Sequence, residues 1–263
     1  MLKKRVIFTL LYDNGSFMLS RNFRLQRVGD LNWLQKNYNF SRIAFSIDEL
    51  IILDVTRGKR DQEKFCHHIK SLTKGCFVPI AAGGGIRQIE QAAAYFNNGA
   101  DKIVLNSLIT ENPELVKEFV KRYGSQSIVV SIDFKNCSTG IEVFIHNGTT
   151  KINMSIYEYI KYIQSLNAGE VYFNSIDRDG TGFGYDLEVI KMLENKMRLP
   201  LIIAGGAGNE NHLLTGLQLS GVNAVATANL FNFIGNGLPN ARKSIINRGG
   251  NIANWDSNIN QQT

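Results

Sequence analysis

Eight short apolar runs recur along the chain, and segments with helical periodicity separate them. Several of the runs are apolar throughout, which is typical of parallel strands buried on both faces. Eight such strands alternating with helices predict an α/β protein with a single closed (β/α)₈ barrel, a TIM barrel; a doubly wound open sheet is the second choice. The predicted strands cover residues 5–11, 49–55, 77–82, 102–106, 127–134, 170–176, 199–205 and 223–229.

The length of the chain and one well-bounded helix agree with this architecture. Barrels of this class commonly have about 250 residues, and the chain has 263. In the predicted helix after the fourth strand, Asn112 is the expected N-cap, Pro113 stands at the first helical position, and Gly124 closes the helix. We therefore assign residues 1–247 to the barrel and residues 248–263 to a polar, Asn-rich tail.

An internal repeat divides the predicted barrel into two halves. The segment that begins at Pro79 (PIAAGGG, then NNGADKIVLNS) resembles the segment that begins at Pro200 (PLIIAGG, then LSGVNAVATAN), 121 or 122 positions later. At the same offset, residues 5–15 overlay residues 128–136. We therefore predict that the barrel consists of two (β/α)₄ half-repeats.

Composition and charge narrow the possible ligands. The net charge of +6 suits an anionic ligand such as a sugar phosphate, whereas the scattered Lys and Arg residues form no dense stripe for nucleic acid. Cys66, Cys76 and Cys137 are odd in number and lack CxxC spacing, which indicates neither a disulfide framework nor a zinc site. No apolar run approaches the roughly 18 residues of a membrane span. We expect a cytoplasmic protein that binds no nucleic acid, membrane, metal or cofactor.

Two glycine-rich turns follow predicted strands at equivalent places in the two half-repeats. Residues 83–85 (GGG) follow the third strand, and residues 205–208 (GGAG) follow the seventh. Glycine lets backbone N–H groups converge on an anion, and a helix N-terminus beyond the turn adds a favourable dipole. Tight βα turns also use glycine, but two turns related by the repeat favour a ligand with two phosphates.

Several motifs closely resemble those of the cyclase subunit of imidazole-glycerol-phosphate synthase, over about residues 1–235. The most specific is SIDRDGTGFGYD (175–186), and the others include GGGIR (83–87), GADKIVLNS (99–107), GSQSIVVSIDFK (124–135) and AGGAGN (204–209). The resemblance implies two phosphate sites. Their residues are Gly85, Asn106 and Ser107 in the first, and Asp179, Gly180, Gly206, Ala228 and Asn229 in the second.

The same resemblance implies a reaction for which this chain lacks one residue. The family closes an imidazole ring with ammonia, using one carboxylate at the end of the first strand and one at the end of the fifth as general acid and base. Asp133 supplies the second, but Leu11 stands in the place of the first, and the half-repeat also aligns Leu11 with Asp133. Asp13 could take that place only through a local bulge of the strand. Leu19 likewise stands where the family has a loop lysine.

Four charged residues stand near the starts of predicted strands, which lie at the bottom of a barrel, away from the usual catalytic end. Facing inward, they would form a salt-bridged ring, and such a ring also fits a purely stabilising layer. They match the family's gate for ammonia from a glutaminase partner, and Asp101 matches a position of the partner interface. An apolar interior would then carry neutral ammonia upward. The four residues are Arg5, Glu49, Lys102 and Glu170.

Retained gate residues beside a lost carboxylate resemble a divergent branch of the family, the acetamidino-modification proteins of bacterial surface-sugar pathways. Leu10, Leu11 and Asn174 mark the branch, whereas Phe8 and the tail depart from it. The resemblance implies a glutaminase at the bottom of the barrel, an ATP-dependent sugar amidotransferase at the top, and passage of ammonia between them. A cyclase of histidine biosynthesis and a simple phosphate-binding barrel are the alternatives.

Overall fold

The computed structural model describes residues 2–38 and 40–254, so the last part of the predicted tail, residues 255–263, lies outside the described residues. Within these ranges the chain forms twelve strands, ten α-helices and one 3₁₀ turn (Ser125–Ser127). The strands are β1 (Arg5–Asp13), β2 (Ser16–Arg21), β3 (Arg24–Gly29), β4 (Glu49–Asp54), β5 (Ile80–Gly83), β6 (Lys102–Leu105), β7 (Ile128–Cys137), β8 (Gly140–Ile145), β9 (Thr150–Lys151), β10 (Glu170–Ser175), β11 (Leu201–Ala204) and β12 (Val222–Thr227). The helices are α1 (Leu31–Asn37), α2 (Phe40–Ile43), α3 (Gln62–Thr73), α4 (Ile89–Asn97), α5 (Leu108–Glu111), α6 (Pro113–Tyr123), α7 (Ile156–Ser165), α8 (Leu187–Met192), α9 (Glu210–Gln218) and α10 (Gly237–Asn247).

Eight of the strands close into a parallel barrel. They pair in the order β1, β4, β5, β6, β7, β10, β11 and β12, and β12 pairs in parallel with β1 to complete the circle. These are the eight strands expected from the apolar runs, so the predicted (β/α)₈ barrel is confirmed.

Side chains of each barrel strand alternate between the interior and the surrounding helices. On β1, Ile7 lies in the interior, whereas Phe8 packs outward, with its ring 5.3 Å from that of Tyr38. Both faces are therefore buried, which explains why the strands are apolar throughout. The interior cluster consists of Ile7, Ile51, Ala81, Val104, Val129, Tyr172, Ile202, Ala204, Ala224 and Ala226.

Two antiparallel extensions, which the apolar runs did not predict, rise from equivalent strands of the two halves. β1 continues into the β2–β3 hairpin, and β7 continues into β8 and β9. Leu11 pairs with Met18 in the first extension, and Asp133 pairs with Phe144 in the second. Asp133 therefore does not end its strand, as expected from the sequence, because β7 runs on to Cys137.

The boundaries of helix α6 follow the residues that cap it. The Asn112 side chain accepts a hydrogen bond from the backbone N–H of Leu115 at 3.1 Å, and Pro113 is the first helical residue. Gly124 ends the helix with a φ of +84°, a conformation that favours glycine. The predicted start and end of this helix are confirmed.

The first residues of the predicted tail lie beside the start of β1. The backbone N–H of Lys4 donates to the carbonyl of Asn251 at 2.8 Å, and Ile252 is buried. Arg242 of α10 donates to the carbonyl of Ala253 at 2.6 Å. These contacts join residues 251–253 to the bottom of the barrel, and the domain boundary after residue 247 stays a prediction.

Candidate functional site

A cavity of about 640 Å³ opens at the carboxyl ends of the barrel strands. Ligands of such barrels bind at this end, and the volume suits a small molecule. Leu11, Leu19 and Asp133 line the cavity, and so do all eight residues predicted to bind phosphate. The structure therefore brings these residues to one site, whereas their contacts with phosphate stay a prediction.

Asp133 is a buried carboxylate of this cavity, held between two asparagine side chains. The Nδ2 of Asn106 donates to its Oδ2 at 3.1 Å, and the Nδ2 of Asn174 donates to its Oδ1 at 3.2 Å. Burial raises the pKa of Asp133 to about 7, although the hydrogen bond from Asn174 acts in the opposite direction. A carboxyl group that titrates near neutral pH can both take and give a proton, as general acid–base chemistry requires.

Leu11 occupies the position at the mouth where the family's first carboxylate is expected. It pairs with Leu53 on one side and Met18 on the other. The pairing of β1 with β4 runs without a break from Ile7 to Tyr12, so β1 has no bulge there that would shift its neighbours. Asp13 is not among the residues lining the cavity; its side chain accepts a hydrogen bond from Thr56 Oγ1 at 3.0 Å.

Asp179 and Gly180 hold the β2–β3 hairpin over the mouth of the barrel. The buried carboxylate of Asp179 accepts hydrogen bonds from the Phe23 N–H at 3.0 Å and from the Ser20 hydroxyl. Burial raises the pKa of Asp179. Gly180 has a φ of +67°, and a Cβ there would lie 1.9 Å from the carbonyl oxygen of Ser20. The sequence assigned these two residues to phosphate alone and did not indicate that they dock a hairpin.

The first predicted phosphate site connects directly to Asp133. Asn106 donates to the Asp133 carboxylate, and the hydroxyl of its neighbour Ser107 accepts a hydrogen bond from the His146 N–H at 3.1 Å. Gly85 has a φ of +69° and faces the side chain of Arg60. An anion at this site would therefore lie close to both a guanidinium group and the buried carboxyl.

The second predicted phosphate site is formed by the turns after β11 and β12, together with Asp179 and Gly180. The carbonyl of Gly206 accepts a hydrogen bond from Gly184 at 2.8 Å, which ties the turn to the loop that follows β10. Asn229 accepts a hydrogen bond from the Asn232 N–H at 3.0 Å, and Ala228 lies beside it along the cavity wall. The two predicted sites thus draw on different turns of the same rim.

Five arginines line the cavity, and none of them was predicted from the sequence to do so. Arg60 lies 3.6 Å from the buried Asp54, whose pKa is raised by burial, and Arg87 lies 2.9 Å from Glu111. Because the five arginines come from three separate segments of the chain, no local sequence pattern predicts that they meet at the cavity. They give the mouth a basic wall that suits an anionic ligand. The five are Arg21, Arg24, Arg57, Arg60 and Arg87.

Arg5, Glu49, Lys102 and Glu170 form a closed ring of salt bridges at the bottom of the barrel, where each is the first residue of its strand. The guanidinium of Arg5 lies 2.6 Å from Glu49 and 2.9 Å from Glu170, and the Lys102 ammonium lies 3.1 Å from Glu49 and 3.2 Å from Glu170. Although burial opposes its charged form, the two carboxylates raise the pKa of Arg5. Every charge in the ring therefore has two opposite neighbours, and its role as a gate stays a prediction.

Asp101 lies beside this ring at the start of β6. Its carboxylate accepts a hydrogen bond from the Ile80 N–H at 2.8 Å, and its own N–H donates to the Ile80 carbonyl at 2.7 Å. These bonds fix the beginning of β5 against β6. Contact of Asp101 with a partner stays a prediction.

The interior between ring and cavity is not wholly apolar, and the expectation of an apolar passage is wrong on this point. Tyr172 is buried within the interior cluster, and its hydroxyl lies 3.3 Å from Thr9 Oγ1. The runs of apolar residues gave no sign of this contact, because tyrosine and threonine are both common in strands.

Within residues 2–38 and 40–254, no group of three His, Cys, Asp or Glu side chains is arranged to hold a metal ion. In the same ranges, none of the helices has the length and apolar character needed to cross a membrane.

Comparison with known proteins shows the family to which this chain belongs. The model of the histidine biosynthesis protein family matches residues 34–235. A relative from Parasynechococcus marenigrum (strain WH8102), provisionally named imidazole glycerol phosphate synthase subunit hisF2, is 47% identical over 243 residues, which are 92% of this chain and 90% of the relative. The imidazole glycerol phosphate synthase subunit HisF of Chloroherpeton thalassium (strain ATCC 35110 / GB-78) is 35% identical over 234 residues, 89% of this chain and 92% of the relative. The chain therefore belongs to the histidine biosynthesis protein family, as a homologue of imidazole glycerol phosphate synthase subunit HisF.

Proposed function

We propose that this chain is the barrel subunit of a glutamine-dependent system, which receives ammonia at the charged ring and delivers it at the mouth. One observation carries the proposal: the closed ring at the bottom coexists with Leu11 at the mouth. Glu49 is buried and the other three residues of the ring are partly buried. Charges removed from water cost up to several kcal/mol unless they are paired, and apolar packing could replace a ring that has no use. The entrance is thus kept, while one of the two groups for ring closure is gone.

The proposed partners follow from the two ends of the barrel. A glutaminase subunit would dock at the bottom, where the ring and Asp101 lie, and release ammonia there. A separate ATP-dependent sugar amidotransferase would dock at the mouth and use the ammonia to amidinate a surface sugar. Leu11 and Asn174 support this acceptor, because both residues mark the resemblance to the acetamidino-modification branch.

A cyclase of histidine biosynthesis is the second candidate function. Two observations favour it: the cavity contains all the residues expected to bind two phosphates, and the pKa of Asp133 lies near 7. The names of the relatives also point to imidazole glycerol phosphate synthase. In this case a single carboxyl group, helped by water, would have to serve both proton transfers.

The deciding experiment is a cyclase assay with saturating ammonium and the ribulosyl aminoimidazole-carboxamide ribotide substrate, comparing the wild type with Leu11→Asp. We expect no turnover by the wild type and a gain of turnover by Leu11→Asp, since general acid–base groups each contribute about 10²–10⁴-fold. Wild-type turnover at about 1 per second or faster would instead establish the cyclase.

A glutaminase pull-down with the wild type completes the test. Capture of a glutaminase by a barrel without cyclase activity supports the ammonia-receiving subunit. If no glutaminase is captured, and neither the wild type nor Leu11→Asp turns over the cyclase substrate, a simple phosphate-binding barrel remains and the proposal is overturned.

A further inference from the structure

Strand β10 carries one polar side chain at each level of the barrel interior. Successive inward positions of a strand are two residues apart. On β10 these positions are Glu170 in the bottom ring, Tyr172 in the interior cluster and Asn174, which donates to Asp133 at the mouth. Tyr172 therefore stands midway between the proposed entrance for ammonia and the cavity, and it also lines the cavity.

The hydroxyl of Tyr172 reaches across the interior to a strand that is not its neighbour. Its partner, Thr9, lies on β1, and strands β11 and β12 separate β10 from β1 on the shorter path around the barrel. Three of the interior residues on those intervening strands are alanines, which leave room for the phenol ring. They are Ala204, Ala224 and Ala226. The contact between the two hydroxyls thus bridges the barrel interior above the ring of salt bridges.

The two hydroxyls lie in a layer that is otherwise aliphatic except for Ser131, which pairs with Tyr172 on the neighbouring strand β7. Tyr172 is 4% exposed and Thr9 is 1% exposed. Two hydroxyl groups that share one hydrogen bond keep one O–H hydrogen and several lone pairs unused. Burial raises the pKa of Tyr172, so its hydroxyl stays neutral.

Neutral ammonia has the hydrogen-bonding capacity that this pair can satisfy. Its lone pair accepts from an O–H group, and its N–H groups donate to a hydroxyl oxygen. Moving a polar molecule through an apolar layer without hydrogen bonds costs a few kcal/mol. Ammonium gains less, because the pair offers no carboxylate to balance its charge.

We propose that Tyr172 and Thr9 form a polar station that binds ammonia midway between the charged ring and Asp133. Both are positioning residues: they lower the cost of transit and take no part in bond making. This inference rests on the proposed function, because it requires ammonia to travel through the barrel.

The test uses the assembled complex of barrel, glutaminase and sugar amidotransferase. The complex receives glutamine labelled with ¹⁵N in the side-chain amide together with unlabelled ammonium, and mass spectrometry measures the ¹⁵N fraction of the amidinated product. Tyr172→Phe keeps the aromatic ring of the side chain and removes its hydroxyl. We expect it to lower the glutamine-dependent rate about tenfold, the usual effect of losing a buried hydrogen bond, and to lower the ¹⁵N fraction, while the rate with saturating ammonium changes less than about twofold.

Two further variants keep the result interpretable. Tyr185→Phe is the matched control, because Tyr185 is also buried but donates to the Ala226 carbonyl at 2.9 Å, outside the interior cluster. It should leave the ¹⁵N fraction unchanged. Thr9→Val removes the second hydroxyl with little change of shape, and should reproduce the effect of Tyr172→Phe even if that variant folds poorly.

The outcomes separate the two proposals. A wild-type complex that incorporates no ¹⁵N overturns the proposed function, and the polar station with it. Efficient ¹⁵N incorporation by the wild type and by both hydroxyl variants overturns the station alone and leaves Tyr172 as a packing residue. Equal losses with glutamine and with ammonium would also overturn the station, because they indicate a structural defect.

Discussion

At the scale of single residues, the environment of Asp133 determines which proton transfers the mouth of the barrel can support. Its two oxygens accept hydrogen bonds from Asn106 and Asn174, yet burial dominates and raises its pKa to about 7. The position of this carboxyl at the mouth could be predicted, because it follows from the repeat and the motif. The shift of its pKa could not be predicted, since it depends on how completely the surrounding loops exclude water.

Replacing Asp133 by Asn should change how stability depends on pH. The folded-state pKa lies above that of the unfolded chain, so the wild type loses stability as the pH rises from about 4 through 7, when the buried group must give up its proton. The free energy of unfolding of Asp133→Asn, measured with denaturant, should therefore rise relative to that of the wild type between pH 5 and pH 8, by up to about 3 kcal/mol.

Glu142→Gln is the control for this pH series. Glu142 is a partly exposed carboxylate whose pKa is lowered by its hydrogen bond with Lys151, so it is largely ionised over this range in the folded and the unfolded chain. Its difference from the wild type should stay constant from pH 5 to pH 8. A constant difference for Asp133→Asn as well would show that the carboxyl of Asp133 is not buried in solution.

At the scale of elements, the eight barrel strands could be predicted and the hairpin at the mouth could not. A strand buried on both faces leaves a continuous apolar run, whatever its neighbours are. Strands β2 and β3 (SFMLSR and RLQRVG) are partly exposed and mix apolar with charged residues. Their position depends on Asp179, which lies far along the chain, so no local pattern contains it.

Gly180→Ala should detach this hairpin from the mouth. The added Cβ would meet the carbonyl oxygen of Ser20, and both backbones would have to move. We expect a loss of about 1–3 kcal/mol from this overlap, in addition to about 1 kcal/mol for the left-handed backbone. Denaturant unfolding and limited proteolysis of the hairpin would measure both effects.

Gly182→Ala separates the overlap from the backbone cost. Gly182 has a φ of +71°, close to that of Gly180, but a Cβ there would meet nothing within 4 Å. It should therefore lose only the backbone contribution and keep its resistance to proteolysis. Equal destabilisation by the two substitutions would mean that the hairpin does not rest on Gly180.

At the scale of the whole molecule, the charged ring and the cavity lie at opposite ends of one barrel. The sequence predicted the residues of both ends, because strand starts and strand ends map to the two ends of a barrel. It missed the basic wall of the mouth and the contact between Tyr172 and Thr9. Both depend on segments that meet only once the barrel closes.

Lys102→Ala should uncouple the two ends. Glu49, which is almost fully buried, would lose one of its two cations, and the ring would open. In the assembled complex we expect glutamine-dependent product to change several-fold, whereas product formed from added ammonium changes little, because that ammonia enters at the mouth. Lys117→Ala is the control, since Lys117 pairs with Glu114 on the surface of α6. Equal losses with both nitrogen sources would argue that the ring only stabilises the fold.

The alternation of β10 has a consequence for how such a protein can change over generations. Glu170, Tyr172 and Asn174 face the interior because they are spaced by two, so deleting one residue of the strand would turn part of this row toward the helices. A change of length in this strand is therefore more disruptive than one in a loop or hairpin. Exchanging one side chain for another leaves the row intact, and the leucine at position 11 is the kind of exchange that this geometry permits.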